Sequence, residues 1–181
     1  MFLVGPSQAT AEVFSTARTL PTGRIMLGIE PQVTPAEGPF YELFLHGGVG
    51  MTSGTDFSMK LGLPLRPDGP MYLGGEVQIA LLNDGQGSPG ISVILGGHGH
   101  GWDRFGLDAA LVLSNDFGRF EPMLAVDTDL EFTGNTLHPS LRLVPGLMVD
   151  ISNVTRFNVE LGVAMSDGAS TFVSCGFQFL L

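Results

Sequence analysis

Two histidines, His98 and His100, stand two residues apart in Gly97-His98-Gly99-His100-Gly101-Trp102. In an extended chain that spacing puts both imidazoles on one side. Such a pair can share a transition-metal ion when a third donor, His46 or an acid, approaches. The plainer reading pairs both rings with carboxylates, because buried polar groups need hydrogen-bond partners. His138-Pro139-Ser140 is a second grouping, which places a histidine and a serine two residues apart. Its plainer reading makes Ser140 and Arg142 ordinary interior residues. The third constellation is a set of charges, Glu30, Glu42, Asp56, Glu76, Asp108, Glu121, Asp127, Asp129 and Glu160 against Arg24, Lys60, Arg104, Arg142 and Arg156.

What positions these residues is a two-residue alternation, repeated in ten segments with turn residues between them. Ile25, Leu27, Ile29 and Val33 share one face of the first segment, and Arg24, Met26, Gly28, Glu30 and Gln32 share the other. The second sets Tyr41, Leu43, Leu45 and Val49 against Glu42, Phe44, His46 and Gly48. The pattern recurs to the last segment, where Val173, Cys175, Phe177 and Phe179 oppose Ser174, Gly176 and Gln178. All the charges named above fall on the second face or beside a segment end. That face also carries glycines and bulky apolar residues such as Phe44, Tyr72, Ile94 and Met123.

Composition narrows the class. The chain has 181 residues, 44% of them hydrophobic and only 14% charged, with a formal net charge of −10. Phosphate recognition needs clustered Lys and Arg, so nucleic acid is excluded as a partner. No run of about 18 apolar residues exists to span a bilayer as a helix. Lys60 is the single lysine, which suggests that much of the surface does not face water. Cys175 is the single cysteine, so neither an intrachain disulfide nor a cysteine-based zinc cluster can form. No cofactor is expected. Residues 1–22 form an N-terminal segment in which Ala9-Thr10-Ala11 has the small-x-small character of a signal-peptide end, a signal remnant or a periplasmic lead-in.

Which face points inward follows from the first face, which has no Asp, Glu, Lys or Arg in any segment. A basic residue at a bilayer midplane costs about 2 to 4 kcal/mol, so such a face suits lipid, and the second suits a crowded lumen. Residues 23–181 are therefore read as an all-β, closed antiparallel transmembrane β-barrel of about ten strands with short turns, eight strands being the alternative count. Pro31, Pro122, Pro139 and Pro145 fall on the outer face and are expected at strand ends or bulges, because proline removes a ladder hydrogen bond. Glu131 to Thr136 is read as a turn, as are Gly50 to Thr55, His100 to Asp103 and Asp150 to Thr155.

From about Thr16 to Leu181 this pattern resembles the outer-membrane β-barrel superfamily, of the small OmpX-like or OmpW-like kind. Gly176-Phe177-Gln178-Phe179-Leu180-Leu181 is similar to that family's C-terminal assembly signal, with Leu181 in place of the final aromatic. The resemblance implies a bacterial outer-membrane location, outer-membrane lipid around the barrel, and recognition of Gly176, Phe179 and Leu181 by the barrel assembly machinery. An envelope protein is a further partner class. His138-Pro139-Ser140 is similar to the His-x-Ser pair of the outer-membrane lipid A deacylase family, although Ser152 stands where that family's spacing places the acid.

Four functions follow as expectations. The leading one is a structural or interaction barrel whose polar lumen is largely filled by Glu30, Glu42, His46, Lys60, Glu76, Asp108, Asp127, Asp129, Arg142 and Glu160. The others are a narrow cation-leaning pore, a lipid A-modifying esterase, and a soluble lipocalin-like binding barrel.

Overall fold

Alternating sequences leave every second residue available for one side of a sheet, and ten such stretches here form ten strands. In chain order they are β1 (Ile25–Thr34), β2 (Phe40–Thr52), β3 (Thr55–Pro64), β4 (Tyr72–Leu82), β5 (Gly90–His100), β6 (Arg104–Ser114), β7 (Phe120–Thr133), β8 (Thr136–Ser152), β9 (Thr155–Ala164) and β10 (Phe172–Leu180). The computed structural model describes residues 15–35, 39–66, 69–83 and 88–181. Ala9-Thr10-Ala11 lies outside the described residues.

Each strand pairs antiparallel with its neighbours in sequence, and β10 returns to β1, so the sheet is a closed barrel. At the seam Ile25 N–H donates to Leu181 O at 3.3 Å and Leu181 N–H donates to Ile25 O at 2.8 Å. Closure leaves no unpaired edge. The β2–β3, β4–β5, β6–β7 and β8–β9 hairpins define one rim, called here the first. The other five connections define the second.

The two faces differ as the alternation predicts. Outward residues include Leu27, Leu45, Leu95, Leu107, Leu111 and Leu161, all exposed, while inward Phe44, Val112, Ala125, Val144 and Arg142 have no solvent exposure. Outward strand positions carry no Asp, Glu, Lys or Arg. Mid-barrel Thr128 is an outward hydroxyl, and it donates to Ser140 O at 3.0 Å, satisfying itself within the sheet.

Three details depart from the sequence reading. First, Glu131 belongs to β7 and not to a turn: the strand runs on to Thr133 and a two-residue turn, Gly134-Asn135, leads into β8, with Gly134 at φ +60°. His100 likewise ends β5, Thr52 ends β2 and Ser152 ends β8. Second, of the strand ends or bulges expected at the outer-face prolines there are no bulges, while Pro122 and Pro139 lie beyond the ends of the β6–β7 and β8–β9 ladders. Pro122, Pro139 and Pro145 pair in continuous register between β7 and β8, and Pro31 pairs with Leu43. Pro31 and Pro145 each fall in a gap of their other ladder, β1–β10 and β8–β9 respectively, where the pairing resumes without a shift. A missing N–H there costs one rung and leaves the register intact. Third, the register shifts that do occur, at Gly50/Thr52, Ala80/Leu82 and Asp150/Ser152, all lie at the first rim. Bulges increase local twist, and here they gather at one rim.

Residues 15–24 turn back into the first rim. Ala17 N–H donates to Ser114 Oγ at 3.0 Å, Gln78 Nε2 donates to Thr16 O at 2.6 Å, and Leu20 N–H donates to Asp56 Oδ2 at 2.8 Å. Thr16 and Ala17 are buried there. Gly50 on β2 makes this approach feasible, since a Cβ at that position would lie 2.7 Å from Leu20 O.

Candidate functional site in the barrel lumen

The lumen is where the polar chemistry collects, because the pleat sends every charged strand residue to the same side. Near the first rim Ser114 Oγ donates to Glu121 Oε1 at 2.8 Å, and Arg18 pairs with Asp116 and lies 3.6 Å from Glu121. Below residues 15–20 a cavity of about 30 Å³ remains, bordered by Met26, His46, Glu76 and Gln78 among others. That is room for one or two water molecules.

Midway along the barrel, cross-strand pairs fill the interior. His46 Nε2 lies 2.9 Å from Glu30, and Lys60 Nζ lies 3.1 Å from Glu76, which also accepts from Ser58 Oγ at 2.9 Å. Arg142 Nη1 donates to Asp127 Oδ2 at 2.8 Å. Glu160 and Asn158 on β9 are buried beside this layer.

Toward the second rim lies the cluster foreshadowed by His98 and His100. Both rings point inward from β5 and are buried. His98 Nδ1–H donates to Asp108, with both carboxylate oxygens at 2.9 Å, and His100 Nδ1–H donates to Glu131 Oε2 at 3.2 Å. Because a carboxylate only accepts, the proton of each pair sits on Nδ1. Tyr72 stacks on His98 with ring centroids 5.2 Å apart and meets His100 edge-on at 5.0 Å. Arg104 lies 3.6 Å from Glu131, and Asp129, fully buried, lies 3.9 Å from His98 Nε2. Of the third donors expected, His46 or an acid, His46 is engaged with Glu30, and the acids Asp108, Asp129 and Glu131 join the histidines.

Glu42 is buried on the lumen side of β2 near the same rim. His138 and Ser140 share the inward side of β8, opposite Glu131 and Asp129 respectively. Ser140 is buried, and its Oγ accepts from Arg142 Nη2 at 3.4 Å, so the hydroxyl is part of the arginine's cradle. Gly176 faces inward on β10, Phe179 faces outward, and Leu181 follows the strand and closes the seam.

Sequence reasoning brought the two histidines and most of the lumen acids to the correct side. It missed Glu131 as a site residue, because Gly134-Asn135 close behind it reads as a wider turn than it is. It also gave residues 15–22 no place inside the barrel, for they lack the alternation that identifies a strand. A third omission, Gly106, carries no side-chain signal at all: it is the inward β6 residue opposite both His98 and Glu131.

No family model and no curated relative matches this chain. Among solved structures, one from work on the de novo design of transmembrane β-barrels is similar, aligning with 90% of this chain and 99% of its own at 12% identity, with a TM-score of 0.46.

Proposed function

We propose that this chain is a bacterial outer-membrane β-barrel with a structural or interaction role and a largely filled polar lumen. The observation that carries this reading is the outer surface. Its central positions are uncharged and, Thr128 and Cys175 apart, apolar, and its aromatic side chains gather toward the rims: Phe57, Phe120, Phe157, Phe177 and Phe179 near the first, Tyr41, Phe105 and Phe132 near the second. A lipid-facing band edged by aromatic girdles has this form. A lipocalin-like barrel in water would carry its polar face outside, and here that face lines the lumen. The partners proposed are outer-membrane lipid, the barrel assembly machinery acting on Gly176, Phe179 and Leu181, and an envelope protein.

The filled interior supports a role other than transport. Phe44, Tyr72, Met123, Arg142 and the Lys60–Glu76 pair occupy the cross-section, and residues 15–20 occupy the first rim. Reconstitution of the purified, tag-free chain in planar bilayers tests this reading. Folded protein is expected to insert and to give no steady conductance. A second reading, a narrow cation pathway, is favoured by the acidic surplus of the lumen. Stable cation-selective openings that diminish in Glu76→Gln would establish that reading in place of the first.

A further inference from the structure

Among the described residues, two triads of ligand-type side chains share His98. One donor atom from each of His98, Asp108 and Asp129 lies within 4.8 Å of the others, and the same holds for His98, His100 and Glu131. Acids meeting histidines inside a barrel are not by themselves a metal site, since hydrogen bonds can account for them. Here they account for only part of the cluster. With a proton on Nδ1 given to Asp108, His98 turns Nε2 toward Asp129, and Nε2 makes no hydrogen bond. Asp129 is fully buried, and neither of its carboxylate oxygens receives one. Two buried polar groups thus face each other across 3.9 Å with no hydrogen bond between them. Water-excluded polar groups without hydrogen bonds are costly, and a cation bound between these two would satisfy both.

The space between them is built. A Cβ placed on Gly106 would lie 2.6 Å from His98 Nε2 and 2.9 Å from Asp129 Oδ1, so only glycine keeps that position clear. Two ligands of one ion, each bound at about 2.1 Å, are separated by at most roughly 4.2 Å, and the observed 3.9 Å is inside that limit. Asp108 behind His98 is the carboxylate that commonly fixes a metal-bound imidazole through its other nitrogen. Tyr72 locks the same ring from its face. Two carboxylates, Asp108 and Asp129, against one imidazole leave net negative charge for a dication to neutralise. Asp108 keeps 12% side-chain exposure, which gives the cluster a route to solvent.

We propose that His98 Nε2 and the Asp129 carboxylate anchor a divalent transition-metal ion of the zinc class over Gly106. Asp108 orients the imidazole, and His100 and Glu131 are the flanking donors. Mixed imidazole and carboxylate ligation selects zinc, cobalt or nickel over magnesium and calcium. The site ties β5, β6 and β7 together near the second rim, and it does not depend on whether the lumen conducts.

The test uses the full, tag-free chain, refolded in detergent, stripped with chelator and titrated with Co²⁺ and Zn²⁺. One ion per folded barrel is expected, with cobalt absorption bands that Zn²⁺ abolishes and that a roughly thousandfold excess of Mg²⁺ or Ca²⁺ leaves in place. His98→Gln, Asp129→Asn and Gly106→Ala should each weaken binding at least tenfold, and His138→Gln should not. Asp129→Asn removes no native hydrogen bond, so its folding should be preserved. X-ray absorption of the zinc-loaded wild type needs no variant; it should show imidazole nitrogen in the shell at about 2.0 to 2.1 Å. Absence of binding to folded wild type, an all-oxygen shell, equal displacement by Ca²⁺, or unchanged affinity in His98→Gln and Asp129→Asn would each overturn the proposal.

Discussion

Arg142 on β8 faces Asp127 on β7 in direct cross-strand register, and their side chains pair at 2.8 Å where neither meets solvent. Removing one member of such a pair strands a buried charge, whereas removing both with apolar replacements does not. Arg142→Met is therefore expected to lower stability by about 3–5 kcal/mol. Arg142→Met combined with Asp127→Leu should recover most of that loss. Denaturant unfolding of the reconstituted barrel measures both, and a double variant as unstable as the single one would contradict the argument.

The outer surface makes a depth-dependent prediction. Leu111 and Val126 are cross-strand neighbours on the outward face near the middle of β6 and β7, while Thr155 begins β9 at the first rim. Leu111→Arg or Val126→Arg should cost about 2–4 kcal/mol of insertion, and Thr155→Arg about 0–1 kcal/mol. Folding into vesicles, followed by heat-shifted gel mobility, gives the comparison. Equal yields for the two positions would argue against a lipid-facing band.

The glycine beneath the inserted segment can be tested by accessibility. Gly50→Val places side-chain atoms where Leu20 O and Pro21 now pass, so residues 15–20 should leave the rim. In a Cys175→Ser background, Ala17→Cys is expected to resist a water-soluble thiol reagent until Gly50→Val is added. Rapid labelling without the second substitution would mean that the segment is not held inside.

Much of this architecture is legible in the order of the residues, and the reason is physical. A barrel wall separating an apolar surface from a polar lumen forces a two-residue period, so strands such as Val173-Ser174-Cys175-Gly176-Phe177 declare both their existence and their orientation. Contacts across the lumen leave no such trace. Asp129 and His98 are distant in sequence, and their meeting depends on β6 contributing a residue without a side chain at Gly106. Apart from Arg18, whose side chain pairs with Asp116, residues 15–20 bind through backbone groups, Thr16 O and the N–H groups of Ala17 and Leu20, which nearly every residue type possesses.

A fourth prediction concerns packing in the same wall. Phe172 on β10 is fully buried and lies over Gly162, its register partner on β9, where a Cβ would collide with the ring. Phe172→Ala should cost about 3–5 kcal/mol. Gly162→Val should also destabilise by displacing the ring, although it adds apolar volume. A stabilising effect of Gly162→Val in denaturant unfolding would show that the ring has another place to go.

The seam between Ile25 and Leu181 joins the beginning of the barrel to its last residue. Every other rung forms between strands adjacent in the chain, where loop-closure entropy is small, and this one must gather the whole sheet before its hydrogen bonds return anything. Pairing of β10 with β1 is therefore expected to be the slowest step of barrel formation. Until β10 pairs with β1, a partly assembled sheet has two open edges, each able to recruit a strand from another molecule. Loss of only the final few residues would therefore act kinetically, prolonging an aggregation-prone intermediate, long before it altered the equilibrium content of sheet.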